Sequence, residues 1–126
     1  MAQSCLGGFI VCMSYNILFQ KVYEMIKWVY LTASKFPRKR RSVLAQRIEV
    51  TSIRILELVI DLSNRDTKTN RRKILYEAHK LQILFRLCKD LSYLSFRKYE
   101  RISALLDEIS GIIDRRHEGG GVDQDI

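Results

Sequence analysis

Polar side chains punctuate the start of the chain at helical intervals. Between about Tyr15 and Lys35, Asn16, Gln20, Glu24, Lys27 and Lys35 recur at spacings near three and four, or multiples of them, and form one narrow stripe. Leu18, Phe19, Val22, Tyr23, Met25, Ile26, Trp28, Val29, Tyr30 and Leu31 fill most of the rest. A helix that packs only on its own bundle needs a narrower apolar face than this. The first helix therefore has apolar surface to spare, which predicts a second buried contact with another subunit. Phe36-Pro37 ends it, because the residue before proline is pushed out of helical angles while proline suits the first turn of the next helix.

Three more helices follow by the same reading. The second is predicted from about Arg38 to Ser63, with Leu44, Ile48, Ile55, Val59 and Leu62 as its inner stripe. Small Ala45 and Ser52 allow close approach, and Asn64 is a stop signal. Asp66 or Thr67 caps a third helix reaching about Leu91. Its inner face is Ile74, Ala78, Leu81, Phe85 and Cys88, widened by Leu84, Leu87 and Leu91. After the turn Ser92-Tyr93-Leu94-Ser95, Ser95 caps a fourth helix that runs to about His117 on Tyr99, Ile102, Leu106, Ile109 and Ile113. Period-2 alternation is absent. The expected fold is all-α, an antiparallel up-down four-helix bundle over residues 15–117. Residues 1–14 read as an apolar leader and residues 118–126 as an acidic, Gly-rich flexible tail. Helix-turn-helix domains use shorter helices than these.

Composition narrows the class. A chain of 126 residues is one domain, and 47% hydrophobic residues is too many for disorder. One Pro and six Gly leave little turn chemistry for an all-β fold. The leader has no basic n-region, and Leu6–Met13 is too short to span a bilayer, so neither export nor a membrane is expected. The leader either packs or stays disordered as an apolar segment, or lies upstream of a start at Met13. Cys5, Cys12 and Cys88 form no CxxC and no even set, which points to a reducing cytoplasm, with Cys88 as a small core residue.

Charge changes the picture most. The formal net charge is +8. All 22 Lys and Arg lie between Lys21 and Arg116, against 11 acids in that span. Such an excess attracts polyanions, nucleic acid before membrane. Arg38-Lys39-Arg40-Arg41 opens the second helix, where cations meet the positive end of the helix dipole and are locally unfavourable unless they serve an anion. Arg40, Arg47 and Arg54 recur every seven residues and share a face. Arg65, Lys68, Arg71, Arg72 and Lys73 cluster around the start of the third helix, and Arg72, His79 and Arg86 again repeat at seven. In an antiparallel bundle these clusters sit at two poles. With no aromatic platform on a sheet, contact with nucleic acid is expected mostly at the phosphate backbone. The alternative is a solvated face with scattered ion pairs.

No catalytic set accompanies these cations. Glu77-Ala78-His79 has the wrong spacing for a Glu-x-x-His metal ligand pair. Glu57 with Asp61, and Asp107 with Glu108, lack a nucleophile or an orienting partner; pairing with basic side chains suits them better. Asp61–Arg65, Arg86–Asp90 and Arg97–Glu100 have intrahelical pair spacing. No phosphate-binding Gly loop is present. The chain is expected to be non-catalytic, with no metal and no cofactor.

The stretch from about Leu18 to Ile113 resembles the accessory variability determinant (Avd) proteins of diversity-generating retroelements. It is also similar to the wider four-helix-bundle family encoded in intervening sequences of bacterial large-subunit ribosomal RNA genes. The residues concerned are Lys35-Phe36-Pro37-Arg38, Gln46-Arg47-Ile48, Ile55-Leu56-Glu57-Leu58-Val59-Ile60 and Leu84-Phe85-Arg86-Leu87-Cys88-Lys89-Asp90. Tyr93-Leu94-Ser95, Tyr99-Glu100 and Leu106-Asp107-Glu108-Ile109 complete them. The resemblance implies a homopentamer of four-helix bundles, bacterial or phage-encoded, that associates with a reverse transcriptase and with retroelement RNA, and DNA as a further partner. It implies support of mutagenic reverse transcription without a catalytic centre. Arg38 and Arg47 fall in the matching motifs and inherit a contact role from them. The alternative is a structural or RNA-binding bundle of the intervening-sequence family with no retroelement role.

Overall fold

The computed structural model describes residues 9–36 and 38–120, with side chains over 16–36 and 43–114. It consists of four helices in chain order: α1 (Phe9–Ala33), α2 (Arg38–Asn64), α3 (Lys68–Asp90) and α4 (Phe96–Gly120). No strand occurs among the described residues, and the expected four-helix bundle is the fold. Each helix packs on its neighbour in sequence, and α4 closes on α1. The diagonal pairs do not approach backbone to backbone, although the Trp28 indole meets Phe85 edge-on across the centre at 5.8 Å.

The core repeats the three-and-four spacing of each stripe. Leu18, Val22, Met25 and Val29 of α1 face Ile48, Ile55, Val59 and Leu62 of α2, with Ile74, Leu81 and Phe85 of α3 and Ile102, Leu106, Ile109 and Ile113 of α4. Burying each such side chain stabilises the fold by about 1.5–3 kcal/mol before entropy is counted. Ser52 is fully buried and satisfies its hydroxyl by donating to the Glu49 carbonyl at 2.8 Å. Two expected core positions differ. Leu87 and Leu91 are both exposed, because they sit on the outer edge of α3 where Leu84 alone tucks inward.

Local signals set the helix ends. The Thr67 side chain accepts from the Asn70 amide at 3.1 Å and caps α3, so Thr67 and not Asp66 is the cap. Beyond α3, Tyr93 N–H donates to the Cys88 carbonyl and Ser92 N–H to the Lys89 carbonyl, which is a Schellman closure. Its left-handed position is Ser92, at φ 67°. Ser95 Oγ then accepts from the Lys98 amide and caps α4. Two boundaries lie beyond the sequence pattern: α1 begins at Phe9 and α4 reaches Gly120. The segment Phe9–Met13 is wholly apolar, so it carries no polar periodicity by which a helix could be read. The remaining leader residues 1–8 and tail residues 121–126 lie outside the described residues.

Candidate nucleic-acid interface

The helix α3 carries seven Lys and Arg against two acids, the most one-sided balance of the four. None of the helices has an acid in its first turn, so no side-chain anion there offsets the positive end of the dipoles. Part of this excess, Lys73 and Lys80, lines the flank where α2 and α3 meet, together with Arg47 and Arg54 of α2.

Glu77 bridges the two helices of that flank. Its side chain is only 12% exposed, and its carboxylate faces Arg54 Nε of α2 at 3.9 Å and Lys80 Nζ at 3.4 Å. A carboxylate taken so far out of water needs cations beside it. Glu77 thereby holds one basic side chain from each helix at the same level of the bundle. Arg47 lies two turns along α2 from Arg54, and Lys73 lies two turns along α3 from Lys80, all four exposed. Tyr76 is exposed between Lys73 and Lys80, and Lys80 Nζ stands 5.0 Å from its ring centroid.

The predicted residues fall into four sets. Arg47, Arg54, Arg65 and Lys73 are exposed on or near this flank, with Lys68 half-buried at the start of α3. Arg72 and Arg86 are exposed further round α3, with His79 between them in the same row. Arg71 turns the other way. Its guanidinium pairs with Asp66, its side chain is 11% exposed, and it braces the α2–α3 turn together with Asn70 Nδ2, which donates to the Arg65 carbonyl at 2.8 Å. Arg38, Lys39, Arg40 and Arg41 form the first turn of α2, and their side chains lie outside the described residues.

Sequence reasoning missed Lys80, Tyr76 and the bridging Glu77. The seven-residue step from Lys73 to Lys80 was a usable signal. The bridge was not, because it depends on the α2–α3 register. Two of the carboxylates considered for chemistry have partners on other helices: Asp107 accepts from Gln82 Nε2 at 2.8 Å and Glu108 pairs with Lys21 at 3.3 Å. Asp90 pairs with the adjacent Lys89 at 3.4 Å and not with the expected Arg86. No group of three or more His, Cys, Asp or Glu suited to a metal occurs among the described residues. Nor is any helix there long and apolar enough to cross a membrane.

A second surface has the opposite character. Phe19, Tyr23, Ile26 and Tyr30 form one row at helical spacing on α1. Phe19, Tyr23 and Tyr30 are each about two-fifths to one-half exposed, and the Phe19 and Tyr23 rings stack at 5.8 Å. Lys21, which reaches α4, marks the other side of this helix.

Residues 16–115 match the family described as bAvd-like, a span that takes in almost the whole bundle and both surfaces. The chain belongs to the bAvd-like family. No curated protein and no solved structure matches it.

Proposed function

We propose that this chain is a non-catalytic accessory subunit of a diversity-generating retroelement. In this reading it works in the cytoplasm as a homo-oligomer, a pentamer as in the Avd resemblance. It binds the element's reverse transcriptase and its RNA through the basic flank and supports mutagenic reverse transcription. The observation that carries the reading is the cationic flank of α2 and α3, from Arg47 and Arg54 to Lys73 and Lys80, on a chain of the bAvd-like family. Exposed Lys and Arg with reach suit phosphate contacts, which give affinity without base specificity. The apolar row on α1 supports a contact between copies, because monomers seldom leave contiguous aromatic surface to water.

Co-expression of the chain with the reverse transcriptase encoded beside it and that element's template RNA tests the reading. All three are expected to co-purify at low salt, with RNA affinity falling steeply between about 50 and 200 mM salt. A chain that stays monomeric on light scattering and ignores RNA at low salt overturns it. RNA binding without the enzyme points instead to a bundle with no retroelement role.

A further inference from the structure

Tyr76 is the one aromatic ring on the basic flank, and it is 61% exposed. The residues three and four positions to either side of it on α3 are Arg72, Lys73, His79 and Lys80, all exposed. Side chains at those spacings are neighbours on a helix surface, about 5–6 Å apart. Lys80 Nζ already sits 5.0 Å from the ring centroid, and Arg54 is brought to the same level through Glu77. The acid nearest the ring in sequence, Glu77, is largely buried and paired with two cations, and the exposed side chains around the ring on α3 are Arg, Lys and His.

That surrounding selects the partner. A duplex offers phosphates but keeps its base faces stacked inside, so an exposed ring adds nothing to its binding. An acidic protein surface offers carboxylates, for which the cations alone suffice. A single strand offers phosphates and a free planar base together, and aromatic stacking within a cationic groove is how such strands are held. We propose that Tyr76 stacks on one unpaired base of a single-stranded nucleic acid, with Lys80 over the ring and Arg72, Lys73 and Arg54 on the adjoining phosphates. This rests on the nucleic-acid role proposed above and adds the strand class, single-stranded over duplex.

The test compares wild type, Tyr76→Ala and Tyr76→Phe by fluorescence anisotropy. The probes are an unstructured single-stranded RNA and a blunt RNA duplex of equal length. A second probe carries 2-aminopurine, whose emission is quenched on stacking. Tyr76→Ala is expected to weaken single-strand binding by about 5- to 150-fold, the range for loss of one stacked base. Duplex binding should stay within twofold, Tyr76→Phe should bind like wild type, and the 2-aminopurine quench should vanish only in the alanine variant. Equal effects on single strand and duplex overturn the proposal. So does loss of assembly by Tyr76→Ala on light scattering, which assigns the ring to a contact between copies. Loss of reverse transcriptase with RNA binding intact overturns it too, and assigns the ring to the protein partner. If wild type itself binds neither RNA probe, the nucleic-acid role fails first; if wild type binds and Tyr76→Ala binds equally well, the stacking site alone fails.

Discussion

Cys88 is fully enclosed on the inner face of α3, and burial pushes its thiol pKa up to about 11 from an ordinary value of 9. Desolvation disfavours the thiolate, so the folded chain keeps this proton where the unfolded chain would lose it. The contribution to stability is complete below about pH 9 and is lost as pH rises through about 11. In a background with Cys5 and Cys12 changed to Ser, the urea midpoint should fall between pH 9 and 11 more steeply with Cys88 present than with Cys88→Ala. Parallel slopes would show that the thiol is not the titrating group. The same burial makes Cys88 inert to thiol reagents until the bundle opens, so its labelling rate at pH 8 should follow unfolding and rise with urea.

Helix ends carry the next level of control. The closure of α3 puts Ser92 at φ 67°, a region in which any side chain beyond glycine is strained. Left-handed backbone costs a non-glycine residue about 1 kcal/mol. Ser92→Gly is therefore expected to raise stability by up to about that amount, seen as a Tm increase of a few degrees. No gain, or a loss, would mean that the serine side chain holds the turn by a contact of its own. The four stripes were legible in the sequence because burial imposes a three-and-four repeat that survives without knowledge of partners. Ile74, Ala78, Leu81, Phe85 and Cys88 all lie where the spacing puts them. Leu87 and Leu91 were misplaced because hydrophobicity alone does not say where an apolar face stops. The candidate site was only partly legible. Arg47, Arg54 and Lys73 stand out by charge, but the opposite roles of Arg71 and Glu77 depend on the α2–α3 register. Arg71 looks like its neighbours in sequence and is turned into the loop by Asp66. Glu77 looks like a stray acid and is the residue that orders two cations.

At the scale of the molecule, the basic flank and the apolar row occupy different sides of the bundle and suit different partners. Glu77 bridges α2 and α3 on the first, while the aromatic row of α1 lies away from the side where Lys21 reaches α4. A ring of copies joined through α1 would bury Phe19, Tyr23 and Tyr30 and leave α3 facing outward, so assembly and RNA binding are separable. Placing a charge in the row should expose that separation. Tyr23→Glu sets a carboxylate beside Phe19, with Lys27 in i,i+4 reach, in a surface that the proposed assembly would dehydrate, and burying even such an ion pair carries a desolvation cost that the tyrosine ring does not. The side chain is 48% exposed in the single bundle, so folding itself should be spared. The expected result is a helical, cooperatively melting protein that sediments as a monomer and still binds one RNA per chain at low salt. In the proposed assembly several copies share a strand, so the apparent affinity of the variant for a long RNA should drop much further than its affinity for a short one. A variant that remains assembled would place the contact between copies elsewhere. One that assembles normally but loses RNA would move the nucleic-acid surface from α3 to α1.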